Sequence, residues 1–392
     1  ISSGENVCWL LNIRGKDLPN SPIANFQAIL TSNKNIILFG NIKKLKNLKK
    51  EFLKNKISFH EKDDFFKILS SLKGNSFCID SKTCSVFNEK LINSKFFIKK
   101  KKDPINDLKS IKNKTEIKSM IEAHIKDGVA VTKFLYWIKN SNIKKLDEIK
   151  VEKKLESFRK QSKNYLFPSF STIAGSGPNG AIIHYRSNKK SNRKLNKDHL
   201  LLVDSGGQYK WGTTDITRTI SFSDPSKKTK ELYTRVLKGH IAVAMSKIDK
   251  LKNGNNIDKL ARKSLNSINL DYRHGTGHGV GFFMNVHEGP QSISKNNFIK
   301  LKKGMIVSNE PGIYLENKLG IRIENLVYID GNNKNLFFKN LTFAPLEKDL
   351  IDENMLTKIE KDYIFSYHLE TYSKLSAYLN NKERKWLAKL IQ

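Results

Sequence analysis

Two stretches of this 392-residue chain each read as a β-hairpin with a carboxylate on both strands. No other feature constrains the fold as much. In the first stretch an apolar strand ends at Asp204, and a second strand rich in β-branched residues begins near Asp215. A turn between Tyr209 and Lys210 would place the two aspartates directly opposite each other, with Cβ atoms about 4.5–5.5 Å apart. Like charges at that separation are destabilising unless a cation lies between them, and a pair of metal ions would fit. The alternative is two exposed aspartates that flank a turn.

The second stretch repeats this arrangement. An apolar run ends at Glu310, and Glu324 lies on a strand that alternates with period two, so that Glu324 shares a face with Arg322. Glu310 and Glu324 are symmetric about Asn317, which lies in an Asn-Lys-Leu-Gly turn. The alternative is a solvated hairpin in which Arg322 neutralises Glu324. Two carboxylate pairs in one chain favour a metal site over this alternative.

Between the hairpins lies a segment rich in glycine and histidine, in which His274, His278 and His287 fall within fourteen residues. The glycines disfavour a helix, so the spacing of His274 and His278 is not that of a helical zinc pair. The segment contains neither the GxGxxG pattern nor the HExxH zinc motif. It indicates a backbone held close to a ligand and flanked by imidazoles. A further histidine, His184, follows a Gly-Pro-Asn-Gly turn upstream.

The candidate ligands together suggest one kind of chemistry. They are four carboxylates and one imidazole, namely Asp204, Asp215, His278, Glu310 and Glu324. Oxygen-rich ligation with a single nitrogen suits Mn²⁺, or Co²⁺ or Zn²⁺ in a paired site, rather than a closed thiolate zinc site. Two carboxylate-bridged metal ions activate water, so the set predicts hydrolysis, most often of amides or phosphate esters.

These residues lie in sequences that resemble a known family. The sequences are DSGGQYKWGTTDITRT, HGTGHGVGFFMNVHEGP, SNEPGIY and GIRIEN. Their order, the eleven-residue spacing of Asp204 and Asp215 and the fourteen-residue spacing of Glu310 and Glu324 resemble the Xaa-Pro aminopeptidases (aminopeptidase P) of the pita-bread metallopeptidase superfamily. The resemblance runs from near residue 5 to the C-terminus, and WLLNIRG and KERKWLAKL are similar to its long cytosolic branch.

The resemblance implies a role for each candidate ligand. Asp204 would bind one metal ion, and Asp215 and Glu324 would bridge two ions. His278 and Glu310 would complete the second metal site, and Glu310 would also shuttle protons to and from the reacting water.

The resemblance also implies roles for residues around the metal ions. His184 and His287 would line the substrate pocket and stabilise the reaction intermediate, with His274 as a supporting histidine. Arg322 would hold a bridging carboxylate from outside the metal shell.

By this resemblance the chain is a cytoplasmic enzyme with two divalent metal ions, most simply Mn²⁺, with Zn²⁺ or Co²⁺ as alternatives. It would release the first residue from peptides with proline in second position, and it would form a homodimer. A tertiary Xaa-Pro amide lacks an N–H, so its cleavage needs a site shaped for the proline ring. One alternative is a prolidase, which cleaves only Xaa-Pro dipeptides. Another is a non-catalytic pita-bread module that binds peptides or nucleic acid.

The predicted fold class is α+β, with a pita-bread catalytic domain over residues 104–392 that follows a smaller α/β domain over residues 1–103. Long-branch members usually carry two domains before the catalytic one, so the first is expected to be absent and the second truncated. The predicted elements of the smaller domain include strands at Cys8–Ile13, Asn35–Phe39 and Ser76–Asp80, and helices at Lys43–Phe52 and Asp63–Leu72. In the catalytic domain Thr115 is the expected N-cap of a long helix.

Composition limits the partners. The formal net charge of +33 suggests a polyanion partner, but only ten of the 71 basic residues are arginine, the residue preferred for bidentate contacts with phosphate and bases. A general bias toward lysine is the favoured explanation, and nucleic acid is not an expected partner. Three cysteines form no disulfide framework, which favours a reducing compartment. No apolar stretch reaches the ~20 residues of a membrane-spanning helix.

Overall fold

A computed structural model of the chain describes residues 1–45, 56–332 and 334–391. It divides into two compact units, Ile1–Lys109 and Ser110–Gln392. The domain boundary predicted between residues 103 and 104 stays a prediction. Within the described ranges, no helix is both long and apolar enough to cross a lipid bilayer.

The first unit alternates short helices and strands. Its helices are α1 Gly4–Leu10, α2 Phe65–Ser71, α3 Val86–Asn93 and α4 Ile105–Ser110, the last of which ends one residue beyond the unit. Its strands are β1 Gln27–Leu30, β2 Ile36–Phe39, β3 Ile57–His60, β4 Ser76–Ile79 and β5 Phe97–Lys100. β2 pairs with β1 in antiparallel and with β3 in parallel orientation, and β4 pairs with β5 in parallel. Side chains of β1 and β2 form a small core with α2.

Several predicted elements of this unit are found. β2 and β4 confirm the strands predicted at Asn35–Phe39 and Ser76–Asp80, and α2 confirms a helix within Asp63–Leu72. The strand predicted at Cys8–Ile13 is wrong, because α1 occupies the first half of that segment and the second half contains no strand. The helix predicted over Lys43–Phe52 lies mostly outside the described residues.

The helices of the second unit are α5 Lys114–Lys139, α6 Glu148–Arg159, α7 Lys227–Ala244, α8 Ile248–Leu251, α9 Gly254–Asn266, α10 Lys358–Leu375 and α11 Asn381–Ala388. The expected N-cap at Thr115 is wrong by two residues. The Asn113 side chain accepts a hydrogen bond from the Glu116 backbone N–H, and the Glu116 carboxylate accepts one from the Asn113 N–H. This reciprocal capping box satisfies two helix-end donors and therefore sets the start of α5.

The strands of the second unit are β6 Tyr165–Pro168, β7 Ile173–Ser176, β8 Leu201–Ser205, β9 Gly207–Tyr209, β10 Gly212–Thr213, β11 Ile216–Ile220, β12 Gly277–Gly279, β13 Glu288–Ile293, β14 Ile306–Asn309, β15 Gly312–Leu315, β16 Leu319–Arg322, β17 Asn325–Asn332 and β18 Asn335–Asn340. They pair in the orders β10-β9-β6, β11-β8-β7, β13-β12-β14-β17-β18 and β15-β16. Every pairing among these strands is antiparallel.

Helix packing separates the two faces of the β8–β11 hairpin. Leu201 and Val203 of β8 and Ile216 of β11 pack against Phe134 of α5 and Val151 of α6. Side chains alternate between the faces of a strand, so the residues between these apolar positions point to the opposite face. The helices therefore cover one face of the hairpin, and the other face carries Leu202 together with polar residues such as Asp204 and Thr217.

Candidate metal centre

The first hairpin carries its two aspartates on one face, but not directly opposite each other. Asp204 pairs with Thr217, and Tyr209 pairs with Gly212 across the turn. The turn is therefore centred one residue later than predicted, and the expected direct opposition of Asp204 and Asp215 is wrong. Because Asp215 lies two residues before the partner of Asp204, the two carboxylates are diagonal neighbours, which remain within reach of each other.

The second hairpin has the predicted register. Asn309 of β14 pairs with Asn325 of β17, and Gly312 of β15 pairs with Arg322 of β16. Glu310 and Glu324 lie between these two pairs and share their register, so they face each other across the hairpin. The predicted symmetry is confirmed, and Asn317 at the centre has a positive φ of 57°, a conformation that asparagine tolerates in turns.

Side chains of both hairpins meet at His278. One ligand atom from each of Asp215, His278 and Glu324 lies within 4.8 Å of the others. The Nε2 atom of His278 lies 3.4 Å from Asp215 Oδ2 and 3.6 Å from Glu310 Oε1. Asp204 lies outside that group of three, but its charge is close enough to raise the pKa of Asp215. The structure thus brings all five predicted ligands into one region.

Mutual repulsion dominates the electrostatics of this cluster. Burial, followed by the charges of Asp204 and Glu310, raises the pKa of Asp215 well above its usual range. Burial and the neighbouring carboxylates, Asp215 foremost, do the same to the pKa of Glu324. Burial also raises the pKa of Glu310, against the opposing influence of His278. Protein groups alone therefore leave the ionised form of these carboxyls under-compensated.

Two further observations fit a cation at this place. The Nδ1–H of His278 donates to the Gly279 carbonyl oxygen over 2.9 Å, and its Nε2 faces carboxylate oxygens of Asp215 and Glu310. Oδ1 of Asp204 is buried and has no hydrogen-bond partner among the described residues. Lone pairs that face one another are unfavourable without a proton or a metal ion between them. The donor set, oxygen-rich with one imidazole, suits divalent ions such as Mn²⁺.

Arg322 connects the two hairpins from behind the carboxylates. It donates to Asp204 Oδ2 over 2.6 Å and to Thr217 Oγ1 over 3.1 Å. Thr217 in turn donates to Glu324 Oε2 over 2.7 Å, so Arg322 reaches Glu324 through the hydroxyl. No motif in the sequence singles out Thr217. The period of the strand is the signal that identifies it, since Thr217 lies two residues after Asp215 and shares its face.

His274 belongs to this supporting network. Arg322 donates to the Tyr314 hydroxyl over 2.7 Å, and that hydroxyl lies 2.9 Å from Nε2 of His274. Nδ1 of His274 lies 2.7 Å from the Gly275 carbonyl oxygen, so Nδ1 carries the proton and Nε2 accepts from Tyr314. Burial, followed by the charge of Arg322, lowers the pKa of His274 to about 4. His274 is therefore neutral near pH 7, and both of its ring nitrogens are engaged. Like Thr217, Tyr314 has no motif that predicts its role.

The two histidines predicted to line a pocket are both exposed. The ring of His287 packs edge-on against that of His278, with centroids 4.1 Å apart. Desolvation of its ring, followed by the influence of His278 and His184, lowers the pKa of His287 to about 4. His184 also contributes to the lowered pKa of His274, so these imidazoles lie near one another. All eight predicted residues thus lie in or beside the carboxylate cluster, and their functional roles stay predictions.

Comparison with known families agrees with this site. Residues 118–331 match the family described as Metallopeptidase family M24. Residues 1–116 match the Creatinase/Prolidase N-terminal domain, and residues 334–392 match the C-terminal region of peptidase M24.

Individual relatives match over nearly the whole chain. The protein named Aminopeptidase P2 of Arabidopsis thaliana is 37% identical over 433 residues, which cover 99% of this chain and 61% of the relative. Xaa-Pro aminopeptidase 1 of Dictyostelium discoideum is 38% identical over 413 residues, with 100% of this chain and 65% of the relative covered. The chain thus spans less than two thirds of the length of these relatives.

Solved structures share the fold. One is the crystal structure of an X-prolyl aminopeptidase from Caenorhabditis elegans, which is described as a cytosolic enzyme with a di-nuclear active site. It matches with a TM-score of 0.91 and 30% identity, and the match covers 99% of this chain and 66% of that one. A prolidase from Pyrococcus furiosus has a TM-score of 0.70 and 28% identity, covering 87% of this chain and 94% of that one. The predicted fold class, α+β with a pita-bread domain after a smaller α/β domain, is confirmed. The chain belongs to metallopeptidase family M24.

Proposed function

We propose that the chain is the catalytic part of an Xaa-Pro aminopeptidase, which hydrolyses the bond between the first residue of a peptide and a proline in second position. The observation that carries the proposal is the convergence of four carboxylates and His278 from two hairpins and a glycine-rich strand. The names of full-length relatives at 37–38% identity support the substrate class.

The five converging residues would hold two divalent metal ions, most simply Mn²⁺. Asp215 and Glu324 are the most deeply buried carboxylates of the cluster, which supports bridging positions between the ions. Asp204 would complete one metal site, and His278 and Glu310 the other. The di-nuclear site of the Caenorhabditis elegans enzyme supports the number of ions.

Two such ions, when bound, would activate water and polarise the peptide carbonyl. The protein's own groups would do the rest. Glu310, which keeps partial exposure, would accept the proton of the attacking water and pass it to the leaving proline nitrogen. His287, neutral near pH 7, would donate an N–H to the developing oxyanion, and His184 would approach the same substrate from its own loop.

The leaving proline nitrogen must gain a proton as the C–N bond breaks, as the leaving nitrogen of any amide must. A group that takes a proton early and returns it late meets this need. Glu310 would be that group, because it lies beside the other carboxylates of the cluster and keeps partial exposure.

A prolidase is the second candidate, since a prolidase structure aligns with 87% of this chain at 28% identity. The two activities differ in whether a residue follows the proline. The test incubates purified Mn²⁺-loaded protein with an Xaa-Pro-Yaa tripeptide and with the matching Xaa-Pro dipeptide. We expect cleavage of the tripeptide, and cleavage of the dipeptide alone would support a prolidase instead.

Metal dependence is tested in the same assay. We expect exhaustive chelation to abolish cleavage and added Mn²⁺ to restore it. Undiminished activity in metal-free protein would refute the proposal. Absence of cleavage with either peptide, with metal bound, would favour a non-catalytic binding module.

We further propose a cytoplasmic homodimer. The description of the Caenorhabditis elegans protein as cytosolic supports the compartment, as do three cysteines without a disulfide among the described residues. Sedimentation velocity of the purified chain tests the assembly, and a single species near the 45.0 kDa mass of one chain would contradict it.

A further inference from the structure

Glu148, the first residue of α6, is a fully buried carboxylate that the proposed mechanism does not use. Its Oε1 accepts hydrogen bonds from the Ser176 backbone N–H over 2.8 Å and from the Asn179 side-chain amide over 2.9 Å. Its Oε2 accepts from the Tyr185 hydroxyl over 2.7 Å and from the Arg193 backbone N–H over 2.9 Å. Four neutral donors satisfy the hydrogen-bonding capacity of this buried carboxylate without a counter-ion, and all four must therefore lie close to it.

The four donors all belong to the segment that carries His184. Ser176 ends β7, Asn179 lies in the turn after it, Tyr185 follows His184 directly, and Arg193 lies at the far end of the loop. The backbone N–H of Glu148 also donates to the Arg193 carbonyl oxygen over 3.1 Å. Glu148 therefore ties together both ends and the middle of residues 176–193.

The same segment packs against the hairpin that carries Arg322. The ring of Tyr185 forms an apolar cluster with Ile173 and Leu202, against which Tyr314 packs. A Cβ atom on Gly320 of β16 would lie 1.7 Å from the Gly180 carbonyl oxygen, so the turn and β16 approach as closely as glycine allows. Tyr185 thus joins Glu148, through its hydroxyl, to the surroundings of the carboxylate cluster, through its ring.

The segment around His184 also contacts α6 elsewhere, since the Ser187 hydroxyl donates to Glu152 over 2.5 Å and the Ile149 N–H donates to Asn192 Oδ1 over 3.2 Å. His184 is exposed, and residues 184–193 form turns and irregular backbone rather than a helix or strand. A side chain on such a segment takes a defined position only if its backbone is fixed by neighbours. The direct neighbour of His184 in sequence, Tyr185, has its hydroxyl 2.7 Å from Glu148 Oε2, 2.8 Å from the Ser191 carbonyl oxygen and 2.9 Å from the Asn179 amide nitrogen, which itself donates to Glu148.

We propose that Glu148 is a positioning residue, which sets the place of His184 in the substrate site by fixing Tyr185 and both ends of the 176–193 segment. This inference rests on the proposed function for its catalytic consequence. Glu148 touches no reacting atom and acts through His184.

The test substitutes Glu148→Gln, which keeps the side-chain volume but turns one acceptor oxygen into a donor NH₂ that faces other donors. We expect kcat/KM for the tripeptide to fall about tenfold or more, because a misplacement of about 1 Å can reduce a rate about 100-fold. Bound metal should remain unchanged by elemental analysis, since none of the ligands contacts Glu148. Hydrogen exchange of residues 176–193 should accelerate relative to the rest of the protein.

α6 itself offers a matched control. Glu156 lies on the same helix and accepts from the Tyr165 hydroxyl over 2.6 Å, but it serves β6 and not the His184 segment. Glu156→Gln should leave kcat/KM within twofold of the wild-type value. If Glu148→Gln does not fold, Tyr185→Phe removes one donor and keeps the ring, and Tyr165→Phe is its control.

A double substitution separates positioning from general damage. If Glu148 acts through His184, adding Glu148→Gln to a His184→Ala protein should cause no further loss of kcat/KM. If the factors by which kcat/KM falls in the two single variants multiply in the double variant, the proposal is overturned. Wild-type activity of either single variant would also overturn it.

Failure of the proposed function gives a different result. A wild-type protein that cleaves no Xaa-Pro peptide would refute the enzyme assignment alone. The ring resonances of His184 in an NMR spectrum then test the positioning by itself. Unchanged ring resonances in Glu148→Gln would overturn it, and shifted or broadened ones would support it.

Discussion

Thr217→Val would test whether the hydroxyl between Arg322 and Glu324 prepares the carboxylate cluster for metal ions. Thr217 is fully buried, accepts from Arg322 Nε over 3.1 Å and donates to Glu324 Oε2 over 2.7 Å. Valine has nearly the same shape and removes both hydrogen bonds. It leaves the charged Arg322 Nε–H without its acceptor and frees the Glu324 carboxylate to turn.

The expected size follows from these contacts. Hydrogen bonds to charged groups contribute about 1.5–3 kcal/mol each, so two of them set an upper limit of about 6 kcal/mol on the loss of unfolding free energy. Loss of a group that orients a metal ligand typically reduces metal affinity about 10–100-fold, which equals about 1.4–2.7 kcal/mol. We therefore expect the dissociation constant for Mn²⁺ to rise by that factor.

Thr219 provides the control. It is equally buried, lies two residues further along β11, and also makes two hydrogen bonds, to the backbone carbonyl and N–H of Arg322 over 3.0 and 3.1 Å. Neither of these two hydrogen bonds of Thr219 involves a carboxylate of the cluster. Thr219→Val should therefore lower the unfolding free energy while the Mn²⁺ dissociation constant stays within twofold.

The assay measures Mn²⁺ binding by isothermal titration and unfolding by urea, on the same metal-free preparations. Unchanged Mn²⁺ affinity in Thr217→Val would refute the orienting role of the hydroxyl. Equal loss of affinity in both variants would show that general weakening of β11, and not the link to Glu324, controls metal binding.

Three further outcomes are expected. Glu324→Ala should lose peptidase activity and metal content together, and elemental analysis showing full occupancy would rule out a bridging role for Glu324. The metal-free protein should become less stable as the pH rises from about 4 through the raised pKa values of Asp215, Glu310 and Glu324, because the folded state favours their protonated forms. Urea titrations at several pH values measure this loss of unfolding free energy, and saturating Mn²⁺ should remove it. Burial lowers the pKa of His124 from 6.5 to about 4, so the contribution of this one group to the unfolding free energy should fall by about 3 kcal/mol as the pH drops through that window. Comparison of His124→Asn with the wild-type protein isolates this contribution, and the two profiles should differ in slope by about one proton. An identical pH slope in His124→Asn would contradict this assignment.

The sequence predicted the two hairpins because each depends on local signals. Period-two alternation and a turn sequence define a hairpin within about 25 residues, and the register of the second hairpin is the one its symmetry about Asn317 predicts. In the first hairpin the polar sequence after Asp204 allows more than one turn position. A shift of one residue in the turn changes each partner by two residues, so the face of Asp215 was predicted correctly although its partner was not.

Two local predictions failed where competing signals were close in strength. The apolar run from Cys8 to Ile13 satisfies a strand pattern, but α1 begins earlier, and its residues Val7 and Cys8 are buried from a helix. At the start of α5, Thr115 is an acceptable cap, but Asn113 gains a reciprocal partner in Glu116. The strand pattern covered only the end of α1, and Asn113 lies before the helical pattern that was recognised from Thr115 onward.

The family resemblance implied supporting roles for Arg322 and His274, but the roles of Thr217 and Tyr314 were not predicted, for a different reason. Arg322 and Tyr314 lie on the paired strands β16 and β15, whereas Thr217 lies on β11 of the other hairpin, so the bond between Arg322 and Thr217 forms only after the two hairpins pack together. Glu148 and the His184 segment are similarly joined across more than 25 residues. Polar side chains of this kind look like ordinary surface residues until the fold buries them.

The arrangement of charges argues that this cluster exists for binding rather than for stability. Glu310 and Glu324 face each other, Asp204 and Asp215 are diagonal neighbours, and several of these carboxyls have raised pKa values. Apolar residues of similar size in the same buried positions would fold with less repulsion. The chain keeps four carboxylates here and fixes one through Arg322 and another through Thr217, while Oδ1 of Asp204 is buried without a partner in the described part of the chain. This arrangement makes the fold less stable than an apolar one. Such a concentration of unfavourable charge in one place is what a site that recruits cations requires.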